Sequence, residues 1–215
     1  MFRIFQRCFL LAGLIALGAS AVPAQVGRSL GVIDPNVAQA RDLLSVTGLT
    51  PEMVKAILDA RPFMSMAEFD AFLGRNLDRD QRSMLYVRLF LPINVNATTD
   101  EELRLVPGMG AHLLVDFKEN RPFGSLASLS QEISKYLPPK DAARLAQYVF
   151  VPLDVNTASD DDLRTIPGMT PKLLATIRQH RPYRDHVAFI KAIRKTVSAK
   201  EATRLSTFVR TAATS

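Results

Sequence analysis

The sequence predicts an all-helical protein built from three consecutive units of sixty residues. Tryptophan is absent, glycine is sparse, and apolar residues recur with the period of an α-helix. Matching residues stand sixty positions apart without a single insertion. They are Asn36, Asn96 and Asn156; Leu43, Leu103 and Leu163; Val46, Val106 and Ile166; and Gly48, Gly108 and Gly168. Such a period is typical of arrays in which each unit packs on its neighbours.

The stretch 95–123 shows the pattern of one unit most clearly. Thr99 followed by Glu102 is typical of a capping box, and it predicts that a helix starts at this point. Leu103 and Val106 should then face inward. The proline and glycines of 107–110 predict a tight reversal, because proline cannot continue the helix and glycine tolerates a positive φ.

A second helix should begin near Ala111 and end at Arg121-Pro122. Its inward face is predicted to carry Leu113, Leu114 and Phe117, which share one side of a helix. In the third unit, four helices are expected over 159–166, 171–180, 186–196 and 200–209. The last two are joined by a reversal without glycine, at 197–199, which corresponds to 77–79 and 137–139. Each unit is therefore predicted to hold two helix-hairpin-helix motifs.

The N-terminal segment has the features of a secretory signal peptide. Arg3 and Arg7 precede an apolar run, and small residues follow it. The run is shorter than the roughly 20 residues that span a bilayer, although an uncleaved membrane anchor is the alternative. Cys8, the only cysteine, lies in this segment, so the mature chain offers no disulfide and no thiolate ligand. The predicted organisation is a signal peptide (1–24), a linker (25–33) and three units (34–93, 94–153, 154–215), with a periplasmic or secreted location.

Charge is shared unevenly among the units. The chain carries a net charge of +6, and the first two units each have a net charge of −1, whereas the third has +5. The basic side chains of the third unit that we consider as anion contacts are Lys172, Arg178, Arg181, Lys191, Arg194 and Lys195. Such an excess is the electrostatic footprint of a nucleic-acid-binding surface, although a charged run is also common on a solvated face.

Two segments resemble a known family. They are VNATTDEELRLVPGMG, followed by a helix and RPF, in the second unit, and VNTASDDDLRTIPGMT, followed by PKLLATIRQHRPY, in the third. Both resemble the helix-hairpin-helix domain of ComEA-type competence proteins, which are exported DNA-binding proteins with a SAM-like fold. The resemblance covers 94–130 and 154–190. The first and third units are degenerate copies, since each lacks the second glycine of the reversal.

The resemblance implies that the reversal binds a phosphate of nucleic acid. The contacts in the second unit would be the backbone amides of Gly108, Met109, Gly110 and Ala111, which stand at the positive end of a helix dipole. Gly168 and Thr170 would stand in their place in the third unit. Thr50 and Thr170, each followed by proline, also fit ordinary helix N-caps. The alternative for all three reversals is that they only turn the chain.

These features predict a non-enzymatic protein that binds double-stranded DNA without sequence specificity, with DNA uptake as one setting. Catalytic residues, metal ligands, cofactors and a small-molecule substrate are not expected. His112, His180 and His186 have no partner at a repeated spacing, and the acidic runs 100–102 and 160–162 fit the first turns of helices. The alternative is a periplasmic scaffold that has lost DNA binding and holds envelope proteins together.

Overall fold

The structure is a computed structural model that describes residues 31–211, and it is mostly helical. The predicted signal peptide and most of the predicted linker lie outside these residues. The described helices are α1 (Ala40–Leu44), α2 (Pro51–Ala60), α3 (Met66–Leu73), α4 (Arg79–Tyr86), α5 (Asp100–Leu103), α6 (Ala111–Glu119), α7 (Leu126–Ile133), α8 (Pro139–Leu145), α9 (Asp160–Arg164), α10 (Pro171–Gln179), α11 (His186–Ile193) and α12 (Ala199–Ser206). The strands are β1 (Ile93–Asn94), β2 (Val149–Phe150), β3 (Leu153–Asp154) and β4 (Val209–Arg210).

The same order of four helices recurs at a step of sixty residues. The four helices expected in the third unit are confirmed as α9 to α12, although most of them end two or three residues earlier than predicted. The expected second reversals, at 77–79, 137–139 and 197–199, join α3 to α4, α7 to α8 and α11 to α12. The connection from α3 to α4 also contains Gly74, which is the C-cap of α3. The repeat register of the sequence therefore holds at the level of helices.

The all-α prediction misses short parallel pairings between the two ends of each unit. Strand β1 pairs with β2, and β3 pairs with β4. In the first unit Ile33 forms an equivalent bridge to Leu89. Each pairing joins residues about fifty-six positions apart, at the entry and the exit of one unit. The pairings satisfy backbone groups that are buried where one unit meets the next.

An asparagine that recurs in each unit ties the segment before the first helix to the loop after the second helix. The side-chain amide of Asn96 donates to the carbonyl oxygen of Phe123 at 2.9 Å and accepts from the Phe123 N–H at 2.8 Å. Asn36 and Phe63 make the same two bonds, as do Asn156 and Tyr183. The Arg-Pro peptide bond just before each of these aromatic residues is cis.

The predicted start of α5 is confirmed, but its capping box is only half formed. Thr99 caps the helix by accepting the N–H of Glu102 at 3.3 Å. The Glu102 carboxylate does not return to the Thr99 backbone. It accepts instead from the Thr98 hydroxyl at 2.8 Å and from the N–H of Ala67, in the first unit, at 3.0 Å. This side chain therefore joins two units.

The apolar side chains that the repeat places inward form the core. Leu103, Val106, Leu113, Leu114 and Phe117 are all buried, as predicted. Each such side chain contributes about 1.5–3 kcal/mol to the free energy of folding through its burial.

Aromatic contacts join successive units. The rings of Phe90 and Tyr148 meet edge to face at 5.1 Å, and the Tyr148 hydroxyl donates to the Val87 carbonyl at 3.0 Å. Sixty residues on, Phe150 stacks on Phe208 at 4.4 Å and belongs to the core of the third unit. The units are thus packed together.

Candidate nucleic-acid interface

The three glycine turns, 46–50, 106–110 and 166–170, have the same backbone geometry. Gly48, Gly108 and Gly168 adopt φ values of +98°, +88° and +88°, which residues that carry a Cβ rarely adopt. In the second turn the Met109 N–H donates to the Val106 carbonyl at 3.0 Å. Of the four amides expected to contact phosphate, that of Met109 is therefore used within the turn. The amides of Gly108, Gly110 and Ala111 have no such bond among the described residues.

The turns differ in how the following helix begins. Thr50 caps α2 by accepting the N–H of Met53 at 3.3 Å, and Thr170 caps α10 by accepting the N–H of Leu173 at 3.2 Å. The N-cap interpretation of both threonines is confirmed. In the second turn the N-cap is Gly110, which offers no side-chain acceptor to α6.

The start of α6 is also sterically open. A Cβ built on Gly110 would meet no atom within 4 Å. The first amides of a helix have no partner within the helix, and they carry the positive end of its dipole. The second turn therefore combines an uncapped helix start with room for a ligand atom.

The third turn is covered on one side. The Arg204 guanidinium is almost fully buried, and its Nη2 donates to the Pro167 carbonyl and to Glu201 Oε1, both at 2.7 Å. A Cβ on Gly168 would lie 2.9 Å from this nitrogen and 3.5 Å from Cγ1 of Val37, in the first unit. Gly168 and Thr170 thus lie in a turn that is occupied by side chains of α12 and of the first unit.

Two of the basic residues proposed from the sequence have structural contacts. Arg178 lies 3.2 Å from Asp160, and the Arg181 guanidinium donates to the Ala158 carbonyl at 2.8 Å. The second unit repeats both contacts. Lys118 forms an ion pair with Asp100 at 2.9 Å, and the Arg121 guanidinium donates to the Thr98 carbonyl at 3.1 Å. Both contacts therefore recur within the repeat, although the Arg178 side chain remains 63% exposed.

The other four cations of that set are exposed. Lys172 lies at the start of α10, whereas Lys191, Arg194 and Lys195 cluster at the end of α11. Within residues 31–211, none of the four side chains forms an ion pair. The end of α11 is therefore the strongest exposed concentration of unpaired positive charge among the predicted contacts.

A groove beside the second turn contains cations that sequence reasoning missed. It is lined by residues 104–110 of the second unit and by Asp70, Arg79, Arg82 and Tyr86 of the first. The net charge of −1 gave no reason to consider the first unit. The informative signal was the pair of arginines three residues apart at the start of α4, where the other two units have none.

Asp34 lies where the first unit meets the third. Burial raises the pKa of its carboxyl from 3.8 to about 6. The hydrogen bond from the Asn36 N–H and the positive charges of Arg204 and Arg61 oppose this shift but do not cancel it. Its Oδ1 accepts the Asn36 N–H at 2.8 Å. Burial also lowers the pKa of the Arg61 guanidinium.

The histidines and acidic runs hold ordinary structural positions. His180 Nδ1 lies 2.8 Å from the Thr176 carbonyl, and His112 and His186 are exposed. The acidic residues of 100–102 and 160–162 lie in the first turns of α5 and α9. In the part of the chain that the structure describes, no three His, Cys, Asp or Glu side chains are grouped to hold a metal ion.

None of the described helices has the length and apolar character needed to cross a membrane. Comparison of the chain with protein-family models, with curated proteins and with solved structures gives no match.

Proposed function

We propose that this chain is an exported, non-enzymatic protein that binds double-stranded DNA without sequence specificity. The observation that carries the proposal is the uncapped start of α6 behind Gly110. Backbone amides at such a position can donate to an anion without the help of a charged side chain, and a phosphate can approach closely because no Cβ stands in the way. Contacts to phosphate position a duplex but do not read its bases.

The proposal includes the finer description of the fold. Each unit would be a pair of helix-hairpin-helix motifs of the ComEA type, with the second unit as the copy that keeps a ligand-binding turn. The caps of α2 and α10 support this division of roles. The hydroxyls of Thr50 and Thr170 accept N–H groups at these helix starts, and the proline that follows each threonine has no N–H to offer a phosphate. The first and third turns would then serve mainly to reverse the chain.

A titration of the mature protein with duplex DNA tests this function. Binding should be detectable at about 50 mM salt and should weaken steeply at about 200 mM, because neutralised phosphates release counterions. Duplexes of unrelated sequence should bind with similar affinity. Lack of binding at the lower salt concentration would refute the proposal.

A scaffold that holds envelope proteins is the second candidate. It is favoured by the two capped turns and by exposed apolar side chains such as Met84 and Val187, which are 70% and 72% exposed. Affinity capture from the envelope fraction, with and without nuclease, separates the two functions. A defined complex that survives nuclease treatment would favour the scaffold, whereas loss of the captured material would favour DNA binding.

A further inference from the structure

The groove beside the second glycine turn lies between two units. The first unit supplies Arg79 and Arg82 from α4 and Asp70 from α3, and the second supplies Arg104 and the turn itself. The groove has a volume of about 570 Å³. Neither unit alone forms it.

The single carboxylate of the groove is already neutralised. Asp70 Oδ1 lies 2.8 Å from Nε of Arg82, and it also accepts the Tyr86 hydroxyl. Arg82 is held further by the Leu77 carbonyl, to which its Nη1 donates at 2.8 Å. These groups form a fixed wall in which Arg82 and Asp70 cancel each other's charge.

The remaining two arginines are not neutralised in this way. Arg79 is exposed and forms no ion pair with any residue of 31–211. Among the described residues, Arg104 has one carboxylate nearby: its Nη1 lies 4.0 Å from Oε1 of Glu101, whose side chain is 81% exposed. Exposed pairs of this length contribute little. The groove therefore presents two available positive charges beside the open start of α6.

These cations occur at the one turn that lacks a cap. The positions that correspond to Arg79 are Pro139 and Ala199, and those that correspond to Arg82 are Ala142 and Ala202. The first unit alone places arginines on its fourth helix at these points. The second unit, with a net charge of −1, thus gains Arg79 of the first unit beside its turn, in addition to its own Arg104.

We propose that Arg79 and Arg104 bind backbone phosphates of a DNA duplex, so that the DNA-binding surface is shared between the first and second units. This inference rests on the proposed function. A duplex whose phosphate meets the amides of α6 brings neighbouring phosphates of the same strand over the groove. Guanidinium groups suit these phosphates because they donate several hydrogen bonds in a planar fork.

The test compares two double variants of the mature protein in duplex-DNA titrations across a range of salt concentrations. R79A/R104A removes the available cations and leaves the Arg82–Asp70 wall intact. R41A/R88A is the control, because it removes the same charge from exposed arginines of the first unit that do not line the groove. Urea denaturation of both variants checks that folding is unchanged.

Loss of two phosphate contacts should lower the slope of log K against log salt by about 1.8. Between about 50 and 200 mM salt, the affinity of R79A/R104A should then fall about tenfold less than that of the wild type. R41A/R88A should keep the wild-type slope. If the wild type binds DNA and both variants lose the same small amount of affinity, the shared surface is refuted and the proposed function stands. If the wild type does not bind, both proposals fail.

Discussion

Asn96 holds the backbone of Phe123 at both of its polar groups, with hydrogen bonds of 2.8 and 2.9 Å across 27 residues of chain. The same pair of bonds joins Asn36 to Phe63 and Asn156 to Tyr183. In the second unit, this clamp fixes the end of the loop after α6 against the segment that enters α5. The glycine turn between these two helices is therefore held from outside as well as by its own bond.

Asn96→Ala should lower the free energy of unfolding by about 2–4 kcal/mol, because the N–H and the carbonyl of Phe123 lose their partners in a largely buried place. Asn76→Ala is the control, since Asn76 is exposed. Urea denaturation measures both. A loss below about 0.5 kcal/mol for Asn96→Ala would mean that water replaces the clamp.

Asp34→Asn should stabilise the protein above about pH 6. Because the folded state raises the pKa of this carboxyl from 3.8 to about 6, the folded protein keeps a proton that the unfolded chain releases between these values. Stability therefore falls as the pH rises through this window and then levels off. Asparagine is accepted at the corresponding place in the second unit, where Asn94 Oδ1 takes the Asn96 N–H at 3.0 Å.

At pH 7.5, Asp34→Asn should raise the free energy of unfolding by at most about 3 kcal/mol. The decrease of that free energy between about pH 4 and 6 should become shallower in the variant. Thermal unfolding across pH provides both values. Asp154→Asn, the corresponding change at a less deeply buried residue of the third unit, should have a smaller effect on stability. Equal stability of Asp34→Asn and the wild type at pH 7.5 would contradict the burial cost assigned to Asp34.

Replacing Lys191, Arg194 and Lys195 by glutamine should weaken DNA binding and leave folding intact, because all three side chains are exposed and unpaired in the described chain. If each contacts one phosphate, the slope of log K against log salt falls by about 2.7. Titrations of the triple variant measure this directly. If the triple variant keeps the wild-type slope, the three cations do not contact DNA. Their role would then be to stabilise the C-terminal end of α11, where positive charge interacts favourably with the helix dipole.

The parts of the fold that were predicted correctly depend on local sequence. Thr99, Thr50 and Thr170 start helices because each side chain reaches an amide three residues ahead, and Gly108 turns the chain because it has no Cβ. Such signals lie within a few residues and are visible in one sequence.

The features that were missed depend on contacts between distant residues. The pairing of Ile93 with Val149 involves only two residues on each side, too few for a strand pattern. The groove of Arg79 and Arg104 forms only when two units pack, and the hydrogen bond that the Ala67 N–H donates to Glu102 likewise crosses the boundary between units. Net charge counted unit by unit could not show that the arginines of the first unit lie beside the turn of the second.

Gly110→Thr tests the central claim most directly, namely that the uncapped start of α6 contacts DNA. The substitution gives the second turn the threonine cap of the other two, and nothing within 4 Å obstructs the new Cβ. Stability should change by no more than about 0.5 kcal/mol, because threonine and glycine are similar N-caps. Gly124→Thr, at another open glycine, is the control.

The account predicts that Gly110→Thr lowers the affinity of the mature protein for duplex DNA about tenfold at low salt, since the new hydroxyl occupies an amide and its bulk keeps a phosphate away. Gly124→Thr should bind like the wild type. A folded Gly110→Thr protein that binds duplex DNA with wild-type affinity would contradict the claim.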